Sequence, residues 1–265
     1  ATLTAAVADY NSKCLSGPVT FSLTDATYTG ETYPITINSN PDASATNTLT
    51  IKPATGVTAA FSGSNATAIL KIAGADYVTI DGSNNGTTTR DLTITNTNAA
   101  GVVLWVASAD ATNGALNATF KNLKIIGNTP ATTVAGIVVS GTALGGAAEA
   151  SNTGFASINN TFNKMQNAIF AIGNATTPDQ GFVITGNVIG SATAVDKLGF
   201  RGVAVQNAQG FVISGNQIFG VTTTTTSTAS GILVGGNAIN GTVFNNKISD
   251  IKNTNTTGYG CNGIY

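Results

Sequence analysis

The sequence VITGNVIG at residues 183–190 decides the fold, because it returns twice further along the chain. It recurs as VISGNQIF at residues 212–219 and, in shortened form, as VFNNKI at residues 243–248. With the asparagine as register mark, Asn187, Asn216 and Asn246 lie 29 and 30 residues apart. A repeat of this period predicts stacked layers, each of which buries its apolar face only against its neighbours.

A second, apolar sequence motif lies between these copies and repeats with a similar period. Its copies begin at Gly136, Ala168, Gly202, Gly231 and Gly263, with spacings of 32, 34, 29 and 32 residues. Short β-branched segments bounded by glycine and asparagine are typical of strands. Each layer is therefore expected to hold two or three short strands.

Further β-rich segments extend the pattern toward the N-terminus, at residues 35–37, 49–51, 69–72, 78–80, 92–94, 102–106 and 123–126. No interior stretch has helical periodicity, which excludes βαβ units. A β-sandwich would show turns about every 8–12 residues, and a propeller blade would need about 40–45 residues. We therefore predict an all-β fold, a right-handed parallel β-helix whose strands pair with their copies one layer above.

The two ends of the chain differ from this pattern. Leu3, Ala6, Val7 and Tyr10 have helical spacing, with Thr2 or Thr4 as the N-cap. We expect residues 1–16 to form a capping helix over the first layer and residues 17–265 to form the β-helix. The sequence after Gly260 ends partway through a layer, so we expect a longer chain or a covering partner at that edge.

The repeated glycines and asparagines are expected to form the corners of each layer. Gly186 and Gly215 suit the bend itself. Asparagine tolerates left-handed backbone and forms hydrogen-bonded ladders between layers. We predict such a ladder through Asn187, Asn216 and Asn246, continuing down to Asn160 and Asn122.

The two cysteines, Cys14 and Cys261, lie near opposite ends of the chain. In a stack of layers about 4.8 Å apart they would be tens of Å from one another, too far for a disulfide bond. We expect both to be buried free thiols.

The composition limits the classes of partner. Only 9% of the 265 residues are charged and the net charge is -1, which predicts no binding to nucleic acid. No apolar run reaches about 18 residues, so membrane insertion is not expected. The chain has no histidine, which excludes Ser-His-Asp triads and histidine-ligated zinc.

Two charged clusters are candidates for polysaccharide cleavage by a lyase. Asp196, Lys197 and Arg201 form one cluster, and Asp250 with Lys247 and Lys252 forms the other. Solvated corner loops explain both more simply, so no catalytic residue is predicted.

Three other features have both a functional and a structural interpretation. Residues 81–86 match part of a calcium loop, but Leu92 stands where the bidentate glutamate belongs, so a plain corner is favoured and no cofactor is predicted. The threonines of residues 222–228 lead to the hypothesis of ice binding, but their clustering within one loop disfavours it. Trp105 alternates with valine and leucine, which favours a core position over an exposed binding platform.

The N-terminal third carries a family resemblance. The segments that carry the resemblance include LTAAVA at 3–8, GPVTF at 17–21, NTLTIKP at 47–53, YVTIDGS at 77–83 and RDLTI at 90–94. This resembles the large right-handed β-helix surface proteins of Bacteroidota, many of them exported by the type 9 secretion system. The resemblance implies an extracellular or cell-surface location and an adhesin-like role.

Three hypotheses for function follow. The first is a non-catalytic adhesin or stalk segment, for which glycans or other surface proteins are the expected partners. The second is a polysaccharide lyase or glycoside hydrolase with its site in a groove along one face. The third is a self-assembling structural protein that docks further copies at its C-terminal edge. Function is expected where the copies differ, in the loops around residues 107–118, 141–154, 191–201 and 221–230.

Overall fold

The computed structural model describes residues 2–265 as a parallel β-solenoid of about eight turns. Three sheets, here named A, B and C, run along the stack, and every strand pair within them is parallel. The predicted all-β parallel solenoid is confirmed.

The strands of each sheet are given in chain order. Sheet A contains Val19–Leu23, Leu49–Pro53, Val78–Asp81, Thr119–Lys121, Ala156–Ile158, Val183–Thr185, Val212–Ser214 and Thr242–Phe244. Sheet B contains Thr27–Tyr28, Ala59–Gly63, Leu92–Asn96, Leu123–Ile126, Thr161–Asn163, Val188–Ile189, Gln217–Ile218 and Lys247–Ile248. Sheet C contains Ile35–Asn38, Leu70–Ala73, Val102–Ala107, Ala135–Ser140, Met165–Ile172, Leu198–Gln206, Val221–Thr223, Ala229–Gly235, Ile251–Asn253 and Cys261–Ile264. Asp179–Gln180 and Ala208–Gln209 form a separate two-stranded pair.

The register places each copy of a repeated phrase directly on the next. Ile184 pairs with Ile213, which pairs with Val243. In sheet C, Ile169 pairs with Val203, which pairs with Ile232. Equal spacing in the sequence therefore becomes columns of apolar side chains, which fill the interior as one continuous cluster of buried residues.

Aromatic side chains pack against one another in the interior at the middle of the stack. The rings of Phe120, Phe155 and Phe182 form an edge-to-face series with centroids 6.2 and 5.7 Å apart. Such contacts add about 0.5–1.5 kcal/mol per pair beyond the area that they bury.

A short helix, Leu3–Tyr10, covers the first layer as predicted. Thr2 is its N-cap and accepts a hydrogen bond from the Ala5 amide at 3.1 Å. Leu3, Val7 and Tyr10 are buried against the interior of the solenoid. Beyond the helix, Asn11 donates to the Thr36 carbonyl at 2.8 Å and accepts from the Asn38 amide at 3.0 Å, so one side chain pairs with the first strand of sheet C. The helix and its cap thus protect an otherwise open edge.

The corner directly after each of the last five sheet A strands has left-handed backbone. The residues that adopt it have φ between 53° and 65° and are Asn122, Asn159, Gly186, Gly215 and Asn245. The glycine role at this corner is confirmed. The expectation that the ladder asparagines themselves adopt this conformation is wrong, because the bend lies one residue earlier.

The asparagine ladder itself is confirmed over four layers. Asn187 donates to Oδ1 of Asn216 at 2.9 Å, and Asn216 donates to Oδ1 of Asn246 at 2.9 Å. The amide of Asn160 donates to Oδ1 of Asn187 at 2.9 Å. Asn122 is not a member, because Leu123 occupies the ladder position in its layer and donates its amide to Asn160.

Cys14 and Cys261 are both free and both exposed. The expectation of buried thiols is therefore wrong. Cys14 lies in the connection between the helix and the first strand, and Cys261 begins a strand that pairs only with Ala229–Gly235 within residues 2–265.

Trp105 is buried, with 5% of its surface exposed, which confirms the favoured reading. It points away from the solenoid interior, because its neighbours Leu104 and Val106 face inward. It belongs to a second apolar cluster on the outer face of sheet C, together with Val102, Ala135 and Val138. Its indole nitrogen donates to Ser140 Oγ at 2.9 Å, and Lys71 Nζ lies 3.8 Å from the ring centroid.

No helix within residues 2–265 has the length and hydropathy needed to cross a membrane.

Candidate binding cleft on the outer face of sheet C

A break in sheet C creates a cleft on its outer face. Leu198–Gln206 pairs with two shorter strands, Val221–Thr223 and Ala229–Gly235, because residues 224–228 leave the sheet between them. In this threonine-rich segment, Thr225 donates its amide to the Thr223 hydroxyl at 3.3 Å. Threonine hydroxyls compete in this way with strand hydrogen bonding, so the run of threonines favours a loop here.

The cleft has a volume of about 370 Å³. It is lined by Pro130, Ala131, Gln166, Gly199, Phe200, Thr222, Thr223, Thr224, Thr225 and Ser227. Ligand pockets commonly have volumes of about 300–1,000 Å³, so this cleft has room for a small ligand or one unit of a polymer.

Gly199 sets the width of the cleft at one side. A Cβ at this position would overlap the carbonyl oxygen of Pro130. The glycine therefore lets the loop that carries Pro130 and Ala131 approach the strand closely and form one wall.

A cation lies beside the cleft, against the aromatic residue of its lining. The guanidinium carbon of Arg201 lies 3.7 Å from the centroid of the Phe200 ring, within the range of a cation–π contact. Burial lowers the pKa of Arg201 from its usual value, because a charged group loses hydration there. Within residues 2–265, Nε of Arg201 is buried and has no hydrogen-bond partner.

Arg201 stands in a column of outward polar residues. Asn167 and Ser230 occupy the same register position on the two neighbouring strands. The next residue in the column, Ala135, belongs to the apolar cluster on the outer face, which places the column on that side of the sheet. Asn167 Oδ1 and Ser230 Oγ are buried and, within the described chain, lack hydrogen-bond partners.

The charged clusters noted in the sequence are rearranged by the fold. Asp196 pairs with Lys164 at 3.3 Å, while Lys197 and Lys252 both pair with Asp250, at 2.9 and 2.5 Å. Contacts from Lys252 and then Lys197 lower the pKa of Asp250. Arg201 takes no part in these pairs, and neither does Lys247. Asp196, Lys197 and Arg201, which are close along the chain, therefore have separate partners in the fold, and the guanidinium of Arg201 lies against Phe200.

The loop at residues 81–86 forms a hydrogen-bonded corner. Asp81 accepts from the Ser83 amide at 3.0 Å and from Asn122 at 2.8 Å, and it pairs with Lys121 at 3.2 Å. Asp91 accepts from Thr89 at 2.6 Å. Across residues 2–265, no group of three or more acidic or cysteine side chains is arranged to hold a metal ion.

Two other carboxyl groups have strongly shifted pKa values. Burial raises the pKa of Asp179 to about 7, against hydrogen bonds from Asn174 and Asn152 that act to lower it. For Glu149, burial acts to raise the pKa, but hydrogen bonds from Thr142 and Ser108 outweigh it and bring the value to about 2. Glu149 ties the loop at residues 141–149 to Ser108, which directly follows the strand that contains Trp105.

The cleft joins two of the four loops in which function was expected, residues 191–201 and 221–230. Sequence reasoning missed Pro130, Ala131, Gln166 and the buried Asn167 beside them. A polar pair, Gln166-Asn167, inside an otherwise apolar strand was the available signal.

Comparison of the chain with models of known protein families, with curated proteins and with solved structures found no match.

Proposed function

We propose that the protein is a non-catalytic extracellular adhesin or stalk segment whose cleft on sheet C binds a glycan. The observation that carries this proposal is the chemistry of the lining: four threonines, a serine, a glutamine and one phenylalanine. Hydroxyl and amide groups both donate and accept, which suits the many hydroxyl groups of a sugar.

The position of the cleft supports the same proposal. Its loop threonines, Thr224 and Thr225, are exposed, while Thr223 behind them is buried and fixed in the strand. A rigid sheet thus presents adaptable polar groups, an arrangement that combines low ordering cost with several hydrogen bonds.

A catalytic role has less support. Glycoside hydrolysis normally uses two carboxyl groups about 5–10 Å apart, and none of the described residues that line the cleft carries one. The nearby acidic residues Asp196 and Asp250 are engaged in ion pairs with lysines. Asp179 is fully buried and does not meet a ligand at the surface.

The cell-surface location is part of the proposal. It is supported by the resemblance of residues 1–98 to Bacteroidota surface proteins and by the solenoid fold that this resemblance implied. The low charge content of 9% also suits a surface that avoids nonspecific ionic binding.

The test is a glycan-array screen followed by titration of the best ligand against two matched variants. Thr224→Ala removes an exposed hydroxyl at the cleft, and Thr88→Ala removes an exposed hydroxyl in a loop outside it. We expect Thr224→Ala to weaken binding about threefold to tenfold, equal to one lost hydrogen bond, and Thr88→Ala to leave it unchanged. Absence of binding to every glycan, or equal effects of the two variants, would contradict the proposal. Release of reducing ends from any bound polymer would favour the enzyme instead.

Exposed apolar side chains in the last layer favour assembly as a second candidate. Phe244 and Ile264 are 47% and 56% exposed, and the strands that carry them have one open edge within residues 2–265. Open edges of this kind readily pair with another strand. Sedimentation velocity across a hundredfold concentration range tests this, and a single monomeric species at all concentrations would rule it out.

A further inference from the structure

We propose that the ligand of the cleft is an acidic carbohydrate and that the guanidinium of Arg201 binds the carboxylate of a uronate unit. This inference rests on the proposed glycan-binding function and specifies its substrate class. It concerns Arg201 together with the polar column formed by Asn167 and Ser230.

The two arginines of the chain differ in their contacts. Arg90 donates from Nε to the Asn159 carbonyl at 2.6 Å and from Nη2 to Asn159 Oδ1 at 2.5 Å, so its guanidinium has a structural task. Arg201 forms no ion pair with any carboxylate of residues 2–265, and its buried Nε has no partner there. A half-buried cation without a counter-charge in its own chain is free to pair with the anionic group of a ligand.

The side chains around Arg201 are polar and uncharged. Asn167 is 6% exposed and donates from Nδ2 to the Val134 carbonyl at 2.8 Å, which holds the side chain in place and leaves Oδ1 as a fixed acceptor. Ser230 is fully buried, and its Oγ is both donor and acceptor. Thr222, which lines the cleft, has a buried hydroxyl that also lacks a partner within the described residues. Arg201 therefore shares its outward column with neutral polar side chains, and none of the ion pairs within residues 2–265 includes it.

The chemistry of Arg201 and of the cleft matches that of a uronate sugar. A guanidinium fork binds a carboxylate through two parallel hydrogen bonds. Phe200 holds the fork from one side, so fewer orientations of the side chain are lost on binding. The threonine hydroxyls along the cleft provide partners for the hydroxyl groups of the same sugar. A neutral sugar would use these hydroxyls but would leave the cation unpaired.

The experiment compares ligands that differ only in the carboxylate. Binding of the full chain to alginate, hyaluronan and polygalacturonate is measured by biolayer interferometry, with the carboxyl-reduced form of each polymer as its neutral counterpart. Two charge-removing variants are tested in parallel: Arg201→Gln beside the cleft and Lys124→Gln on the exposed face of sheet B. Circular dichroism and thermal melting confirm that each variant is folded.

We expect at least one uronate polymer to bind at least tenfold more tightly than its reduced form. Arg201→Gln should abolish that preference, Arg201→Lys should restore part of it, and Lys124→Gln should change it less than twofold. Binding of neutral glycans with no preference for uronates would overturn this inference and leave the proposed function standing. Failure to bind any polysaccharide would overturn both. Tighter binding of poly-glutamate than of every uronate polymer would replace the acidic carbohydrate with an acidic peptide.

Discussion

The replacement Asp179→Asn tests how the buried corner beside sheet A responds to pH. Asp179 is fully buried, its Oδ1 accepts from the Asn174 amide at 3.1 Å, and its Oδ2 has no partner within residues 2–265. Asparagine keeps the acceptor and the shape of the side chain but removes the ionisable group. The wild-type protein pays for the charge only when the carboxyl group is ionised.

The magnitude follows from the pKa of this group. Burial raises it from 3.8 to about 7, a difference of about 3 units, and each unit corresponds to about 1.4 kcal/mol. Between about pH 4 and pH 7 the folded state holds a proton that the unfolded state has released. The free energy of unfolding therefore falls as pH rises through this window, by at most about 4 kcal/mol, and is level above it.

The assay is urea unfolding followed by circular dichroism at several pH values between about 4 and 8.5. The readout is the difference in free energy of unfolding between Asp179→Asn and the wild type. We expect this difference to move in favour of the variant by about 2–4 kcal/mol from the low to the high end of the range. The new amide hydrogens of asparagine cost about 1–3 kcal/mol if they stay unpaired, but that cost is the same at every pH.

A matched control is Asp25→Asn, which removes an exposed carboxyl group outside this corner. Its difference from the wild type should vary by less than about 0.5 kcal/mol over the same range. A flat profile for Asp179→Asn, or one parallel to that of Asp25→Asn, would refute the reasoning, because it would show that Asp179 ionises in the folded state as easily as in water.

Two further predictions concern the ladder and the thiols. Asn187→Ala should lower the free energy of unfolding by about 2–4 kcal/mol, because it leaves buried groups of two adjacent layers unpaired. Asn246→Ala, at the half-exposed end of the ladder, should lower the free energy of unfolding by about 1 kcal/mol. Urea unfolding measures both values, and equal values would argue against a ladder that is strongest inside the stack. Cys14 and Cys261 should both react with Ellman's reagent in the folded protein within minutes, since both are exposed and free, and a reaction that requires denaturant would contradict their placement.

The repeated phrases were sufficient to predict most of the fold. A side chain that recurs every 29–34 residues has the same environment in each copy, and only stacked layers give it that environment. For this reason the parallel solenoid, the helix at Leu3–Tyr10 and the ladder through Asn187, Asn216 and Asn246 all followed from periodicity. The prediction that the ladder continues to Asn122 was wrong, because Leu123 occupies the ladder position in that layer.

The candidate site depended on the places where periodicity fails. The threonine run of residues 222–228 was visible in the sequence, but its effect, the division of one strand of sheet C into two, was not. Arg201 appeared in the sequence beside Asp196 and Lys197, since those residues are close along the chain. In the folded protein the lysine pairs with Asp250, which is 53 residues away, and Arg201 lies against Phe200 at the cleft.

The sequence by itself therefore determined the layers, because a repeat states which residues share an environment without stating where the chain bends between them. The tertiary structure decided which charges are paired and which cation lacks a partner among residues 2–265. The physical reason is the difference in range. Strand pairing follows a period that is written along the chain, whereas ion pairing depends on distances of about 3 Å between side chains from different layers, and loop geometry alone sets those distances.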